Sequence, residues 1–337
     1  MSLPFERPDD TARGAGHSGR SRLARISVAI CLQTMMGVPA TLAQNFGEWG
    51  TPVSLDPHRT IGINTAVNDG CPIESPDGQT LYFATDRIGN QLDIWTASRG
   101  IDDAWAIEPL PSDVNTMAAE FCPTPLPGHQ LLFVSTRANN CGPTGAAPNA
   151  DIYHTRRDHK GNWLEPQPLG CTVNSGGAEF SPSLVQAEGR TMLFFSSDRG
   201  TPGRHRLYVS VQEPDGTWLD AEAIDELNAG SGSDARPNVR KDGLEIVWDS
   251  TRSGPLSQIY TARRSSAFEP WSNVTPLESC PLECVNDPTA AQSRASFSRD
   301  GTRLYFGSTR ANATLGGVQG DIYFSIRPGP GKGERAQ

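Results

Sequence analysis

Four acidic residues recur at one fixed distance ahead of a proline. Asp69, Glu120, Glu179 and Asp234 each stand three residues before Pro72, Pro123, Pro182 or Pro237. If the fold brings these carboxylates to one opening, their mutual repulsion raises the pKa of at least one of them. Such crowding serves general acid–base chemistry and, in particular, glycosidic chemistry. The acids also have a structural explanation, because a carboxylate at this position can cap the loop before it.

Two arginines lie close to the acids in the same register. They are Arg236 in the fourth copy of the pattern and Arg294 in the fifth, where Ser293 takes the place of the acid. We expect the two guanidinium groups to neutralise part of the acidic ring. The candidate ligand-binding residues are therefore Glu120, Glu179, Arg236 and Arg294. Under an enzymatic interpretation only, the candidate catalytic residues are Asp69, Glu120, Glu179 and Asp234.

The elements that position these residues belong to a fivefold repeat. In every copy a turn glycine is followed by an apolar run that ends at an arginine, and these arginines are Arg87, Arg137, Arg199, Arg252 and Arg310. A second apolar segment follows each arginine. Alternation with a period of two, without a helical pattern, predicts four short strands in each copy. We expect the repeated arginine to bond carbonyls or a carboxylate of the neighbouring blade.

A tryptophan follows the first four copies but is missing after the fifth. Its counterpart stands before the first copy, because residues 49–55 match residues 105–110 in type. A strand from the amino-terminal end that completes the last unit would close a ring and leave no open sheet edge. The sequence thus predicts an all-β fold: a five-bladed β-propeller of four-stranded blades, closed by the N-terminal strand pairing into the last blade.

The first 43 residues have the features of an export signal. Arg20, Arg22 and Arg25 precede a mostly apolar segment over residues 26–38, and small residues lead up to Ala43. We expect a leader and signal peptide over residues 1–43, a single propeller over 44–328 and a disordered tail over 329–337. No membrane span is expected after removal of the signal.

The remaining cysteines are even in number and predict disulfides, which favour the periplasm or the cell exterior. Position along the predicted blades suggests three pairs, although the sequence leaves the connectivity open: Cys71 with Cys122, Cys141 with Cys171, and Cys280 with Cys284.

Composition and missing motifs exclude several classes of protein. Lys and Arg number 29 against 38 Asp and Glu, and this negative balance disfavours nucleic acid as a partner. A hydrophobic content of 36% excludes a protein with many membrane spans. The chain has no HExxH, GxSxG, P-loop or dinucleotide-binding motif. We therefore expect no metal and no cofactor.

The repeats resemble the WD40-like PD40 repeats of TolB-like β-propellers. The resemblance covers residues 46–327 and rests on two stretches: Ser75-Pro76-Asp77-Gly78 with Leu81-Tyr82-Phe83, Thr85-Asp86-Arg87 and Asp93-Ile94-Trp95, and Gly161-Asn162-Trp163 with Asn174-Ser175 and Glu179-Phe180-Ser181-Pro182. It implies a periplasmic or cell-surface protein. TolB itself differs in having six blades and a separate α/β domain, for which this chain has no room.

Two functional expectations follow. The first is an exported, non-catalytic binding or scaffold propeller of the cell envelope, present as a monomer. It would recognise an envelope protein or a glycan through its long-loop face, which is the face opposite the tight turns that contain the repeated glycines. The alternative is a carbohydrate-active enzyme, either a glycoside hydrolase or a polysaccharide lyase. It would use two of the four recurring acids at the mouth of the central channel.

Overall fold

The computed structural model describes residues 46–58, 60–89, 91–99, 105–139, 141–142, 149–310 and 320–331. The predicted leader and signal peptide and most of the predicted C-terminal tail lie outside these residues. No helix in the described part of the chain has the length and apolar character that a membrane crossing requires.

The described residues form five four-stranded antiparallel sheets, here called blades 1 to 5. Blade 1 contains β2 (Asp69–Glu74), β3 (Thr80–Thr85), β4 (Asp93–Arg99) and β5 (Trp105–Pro109). Blade 2 contains β6 (Glu120–Leu126), β7 (Gln130–Ser135), β8 (Asp151–Arg156) and β9 (Gln167–Pro168). Blade 3 contains β10 (Glu179–Ala187), β11 (Arg190–Ser197), β12 (Arg206–Gln212) and β13 (Glu222–Ala223). Blade 4 contains β14 (Asp234–Val239), β15 (Glu245–Ser250), β16 (Gln258–Arg263) and β17 (Ser272–Pro276). Blade 5 contains β18 (Gln292–Phe297), β19 (Arg303–Ser308), β20 (Asp321–Ile326) and β1 (Val53–Ser54).

The ring closes through the amino-terminal strand. β1 pairs antiparallel with β20, and Val53 lies opposite Phe324 while Ser54 lies opposite Tyr323. The predicted five-bladed propeller and its mode of closure are therefore confirmed.

Packing between neighbouring blades forms the core. One apolar cluster, for example, joins Phe194 of blade 3 to Trp248 and Tyr260 of blade 4. The hairpins between the first and second strands turn on five glycines with φ between 72° and 78°: Gly78, Gly128, Gly189, Gly243 and Gly301. Glycine adopts this left-handed conformation without the steric cost of a Cβ atom. These hairpins define the tight-turn face, and the opposite face is the long-loop face.

A β-bulge interrupts the innermost strand of every blade at its third residue. The bulge residues all have positive φ, from 47° to 59°, and they are Cys71, Cys122, Ser181, Arg236 and Arg294. In each blade the register of pairing with the second strand shifts at this point. A bulge re-aims a side chain, and all five residues line a small space of about 30 Å³ between the innermost strands.

Candidate active site

The four predicted acids begin the innermost strands of blades 1 to 4, and the carboxylates of the first three bond within their own blades. Glu179 accepts hydrogen bonds from the backbone N–H of Ser175 (3.0 Å) and the hydroxyl of Ser197 (2.6 Å). It also forms an ion pair with Arg199 at 3.3 Å. Glu120 repeats this set of contacts in blade 2, with Thr116, Ser135 and Arg137.

The other two acids follow variations of the same arrangement. Asp69 bonds the N–H and hydroxyl of Thr65 and pairs with Arg87 at 2.9 Å. Burial raises the pKa of Asp69, although hydrogen bonds from Thr85, Thr65 and Arg87 oppose this. Asp234 instead bonds the indole N–H of Trp248 and pairs with two arginines, Arg206 and Arg252. In the described residues, no hydrogen bond joins two of the four acids. Asp69, Glu120 and Glu179 each hold the loop that enters their own blade, whereas Asp234 is held by side chains, one of which, Arg206, belongs to blade 3.

Blade 5 departs from the expected register. Gln292, and not Ser293, occupies the position of the acid, because Gln292 pairs with Ser308 as Asp69 pairs with Thr85. The sequence analysis placed this position one residue too late, at Ser293, because blade 5 has no carboxylate that marks it.

The recurring arginines are structural ties, but they act locally. Arg87 donates to the carbonyls of Gly62 (2.6 Å) and Ile63 (2.9 Å). Arg137 bonds the carbonyl of Val114 in the same way. These carbonyls belong to the loop that leads into the arginine's own blade, so the expected tie to the neighbouring blade is wrong.

Three disulfides are present, and they are the pairs suggested by position: Cys71–Cys122, Cys141–Cys171 and Cys280–Cys284. The first joins the bulges of blades 1 and 2 across the channel wall. Its two cysteines pack against an apolar group on the long-loop face, which we call the mouth cluster. This cluster consists of Leu92, Phe121, Ala150, Ala178 and Phe180.

The mouth cluster places two half-buried aromatic rings beside the channel. Phe121 and Phe180 meet edge to face at 5.6 Å. His205 stacks on Phe180 at 4.4 Å, and the guanidinium of Arg236 lies 5.7 Å from the same ring. The Nδ1 atom of His205 is buried without a hydrogen-bond partner, and burial lowers the pKa of this histidine. The cluster thus offers an apolar ring surface edged by polar groups.

Two further aspartates flank the mouth cluster, and each follows a cluster residue in the chain. Asp93 follows Leu92 and is half-buried, and Asp151 follows Ala150 and is fully buried. Burial and then the charge of Glu120 raise the pKa of Asp93. In both aspartates Oδ1 is buried without a hydrogen-bond partner.

Asp151 is the more strongly perturbed of the two. Burial, followed by the charge of Glu179, raises the pKa of Asp151 to about 7. A carboxyl with this pKa still carries its proton in half of the molecules at neutral pH. Perturbation of this kind is typical of functional acids, although it also occurs in structural networks.

The two predicted arginines lie together on the channel wall. Arg236 pairs with Asp249 at 2.7 Å, and the backbone N–H of Arg294 donates to the same carboxylate at 3.0 Å. Arg236 therefore bonds an acid of the second strand of blade 4, and neither arginine forms an ion pair with the four recurring acids in the described residues.

Sequence reasoning missed the acids and rings that the fold brings together. Asp93 and Phe180 were named only as parts of the repeat stretches, and Asp151 and Phe121 were not considered as site residues. A signal for the aspartates was available, because an aspartate begins the same strand in two successive copies, as Asp93-Ile94-Trp95 and Asp151-Ile152-Tyr153.

A larger opening of about 650 Å³ lies on the tight-turn face. Glu74 is the only acidic residue among its described lining, and it already accepts hydrogen bonds from Tyr305 and from the backbone of Arg299. The described lining of this opening therefore holds one carboxyl, whereas Asp93 and Asp151 flank the mouth cluster.

No protein-family model and no curated protein matches the chain. Solved structures do share its fold. An α-L-arabinofuranosidase from Podospora anserina, in complex with cellotriose, is 12% identical over 85% of this chain and 98% of that chain, with a TM-score of 0.52. An α-L-arabinofuranosidase from Lactobacillus brevis is 12% identical over 79% and 92%, with a TM-score of 0.50. A TolB-like protein from Agrobacterium tumefaciens is 16% identical over 85% and 92%, with a TM-score of 0.45.

At these identities the similarity establishes the shared fold. It also corrects our first functional expectation, the non-catalytic binding or scaffold propeller. The two α-L-arabinofuranosidases reported above, with TM-scores of 0.52 and 0.50, fit the alternative and not this expectation. The resemblance to TolB-like propellers is supported only as far as the β-propeller.

Proposed function

We propose that the protein is an exported carbohydrate-active hydrolase whose active site is the mouth cluster with Asp93 and Asp151. The observation that carries the proposal is the carboxyl of Asp151, which keeps its proton up to about pH 7 beside two half-buried aromatic rings. The α-L-arabinofuranosidases that share the fold support the choice of glycosidic bonds as substrate.

Each group has a role in this proposal. The rings of Phe121 and Phe180 offer an apolar face on which a sugar ring packs. Asp151 donates its proton to the departing glycosidic oxygen as general acid. Asp93, whose pKa is less strongly raised, is the second carboxyl. As a general base it takes a proton from the water that attacks the anomeric carbon, and as a nucleophile it attacks that carbon itself and forms a glycosyl-enzyme that water then hydrolyses. Glu179 touches Asp151 and not the substrate, so it is a positioning residue.

Export is part of the same proposal. Three disulfides fit an oxidising compartment, where thiols are not kept reduced. The substrate would then be a glycan of the cell envelope or of the surroundings.

The test is the release of reducing ends from arabinan, arabinoxylan, glucuronoxylan and pectin. We expect wild-type protein to cleave at least one polymer, and Asp93→Asn and Asp151→Asn to lose at least about 100-fold in rate. Asp220→Asn is the matched control, because Asp220 is exposed near the outer edge of blade 3. Failure to cleave any polymer, or an Asp151→Asn variant with the wild-type rate, would overturn the proposal.

A further inference from the structure

The bulge residues give the channel wall an uneven distribution of charge. Blades 1 and 2 close their part of the wall with the Cys71–Cys122 disulfide, and blade 3 contributes Ser181, whose hydroxyl is buried without a hydrogen-bond partner. Blades 4 and 5 place arginines there. Positive φ in residues other than glycine costs of order 1 kcal/mol or more and is common at ligand sites.

Arg236 and Arg294 share one carboxylate. Asp249 forms its ion pair with the guanidinium of Arg236, whereas Arg294 reaches it only through the backbone N–H. In the described residues no carboxylate lies within 4.0 Å of the Arg294 guanidinium, and its Nε is buried without a partner. Burial and the charge of Arg236 lower the pKa of Arg294 to about 10, so the group is still cationic at neutral pH.

The guanidinium of Arg294 occupies space that is free only because residue 70 is a glycine. A Cβ atom on Gly70 would lie 2.7 Å from Nη1 of Arg294, closer than side-chain contacts allow. The absence of a side chain at this position therefore leaves the space that the guanidinium occupies beside blade 1.

The guanidinium faces a cavity on the long-loop side. This cavity has a volume of about 340 Å³, and its lining includes Asp69, Asp86, Ser293, Arg294 and Ser308. The volume is within the range of small-ligand sites. Both acids in the lining are already bonded, Asp69 to Arg87 and Asp86 to the N–H and side-chain amide of Asn68. Asn68 is neutral, so Asp86 keeps its charge, and the Arg294 guanidinium is the one cation in the described lining of the cavity.

We infer that this cavity binds the carboxylate of a uronic acid residue, with the Arg294 guanidinium as its partner. The inference rests on the proposed function for its choice of a sugar. Guanidinium groups bind carboxylates through parallel N–H···O hydrogen bonds, which gives orientation as well as affinity. The Ser293 and Ser308 side chains in the lining are suited to the hydroxyl groups of the sugar.

The test measures binding and not turnover. Saturation-transfer NMR and calorimetry compare D-glucuronate and D-galacturonate with D-glucose and D-galactose, and with sodium sulfate and acetate. We expect at least one uronate to bind at least tenfold more tightly than its neutral sugar and than either simple anion. Equal binding of neutral sugar and uronate, or equal binding of sulfate, overturns the inference.

Three variants locate the site. Arg294→Gln is expected to weaken uronate binding at least tenfold, and Gly70→Ala to weaken it while keeping the charge. Arg299→Gln is the matched control, because Arg299 lines the opening on the opposite face. If Arg294→Gln does not fold, as judged by thermal unfolding, Gly70→Ala decides. Unchanged binding in the folded variants, or loss in Arg299→Gln, contradicts the inference.

The two proposals fail separately. Uronate binding without cleavage of any polymer would leave the inference standing and remove the hydrolase. Cleavage of neutral polymers without uronate binding would do the reverse.

Discussion

Asp151 and Glu179 face each other across the boundary between blades 2 and 3. The backbone N–H of Glu179 donates to the carbonyl of Ala150 at 2.7 Å, which places the start of β10 against the start of β8. Both carboxyl groups are buried, with 1% and 0% of the residue exposed. Because Glu179 is bonded to Ser175, Ser197 and Arg199, its charge acts on Asp151, where burial and then this charge raise the pKa to about 7.

The raised pKa of Asp151 predicts a loss of stability as the pH increases. An acid whose pKa is higher in the folded state stabilises the fold below its unfolded pKa of about 4, and this contribution is lost up to the folded value of about 7. The loss amounts to about 4 kcal/mol at most, at about 1.4 kcal/mol per unit. Asp151→Asn has no proton to lose. We expect its urea midpoint to match that of the wild type at about pH 3.5, below the unfolded pKa, and to be clearly higher than that of the wild type at pH 8.

Asp220→Asn controls for the loss of one negative charge from the surface, and it should follow the wild type at both pH values. Asp69 and Asp93 have raised pKa values as well, but they are present in both proteins and cancel in the comparison. Parallel curves for wild type and Asp151→Asn would show that Asp151 ionises in the ordinary acidic range.

A second prediction concerns the pH dependence of the proposed hydrolysis. If Asp151 is the proton donor, kcat/KM should fall above about pH 7. Glu179→Gln removes a charge that raises the pKa of Asp151, so the fall should begin at lower pH. If Glu179→Gln lowers the maximum of kcat/KM but leaves the pH at which it falls unchanged, Glu179 has a structural role only.

The fold was readable from the sequence because the repeat is carried by residue types. An aromatic residue four positions before the arginine, the arginine itself and the turn glycine recur in each copy. Trp49, which stands before the first copy and not after the fifth, indicates closure of the ring. The site was less readable. A positive φ at Arg294 directs its side chain into the channel, and residue type does not mark this conformation. The approach of Asp151 to Glu179 depends on how two blades pack, which no spacing within one copy records.

The disulfides should differ in their contribution to stability. Cys71 and Cys122 are separated by 51 residues, whereas Cys280 and Cys284 are separated by 4. Constraint of the unfolded chain predicts about 4 kcal/mol for the first bridge and about 2 kcal/mol for the second. Double Cys→Ser variants, compared by urea unfolding under non-reducing conditions, measure both. Equal losses, or a larger loss for the short loop, would contradict this account.

Ring closure depends on a buried ion pair between Arg327 and Glu245. The guanidinium bonds both carboxylate oxygens of Glu245 in blade 4 at 2.8 Å and the carbonyl of Gly301 in blade 5. It also lies over the rings of Phe46 and Trp49 at 4.0 and 4.3 Å, in the segment that leads into β1. One side chain thus joins blade 4, blade 5 and the closing segment.

Arg327→Met should therefore destabilise the protein by about 3 kcal/mol, because the buried Glu245 loses its two-oxygen partner and keeps only Arg240 and the exposed Arg263. Arg263→Met is the matched control, since Arg263 also pairs with Glu245, at 3.3 Å, but its side chain is 55% exposed. Such exposed pairs contribute about 1 kcal/mol or less. In the double variant Glu245→Met/Arg327→Met the carboxylate is gone and the buried Arg240 still pairs with Asp242, so the loss should be smaller than in Arg327→Met alone. Urea unfolding of the four proteins measures this, and equal losses in Arg327→Met and Arg263→Met would show that the ring closes without the buried pair.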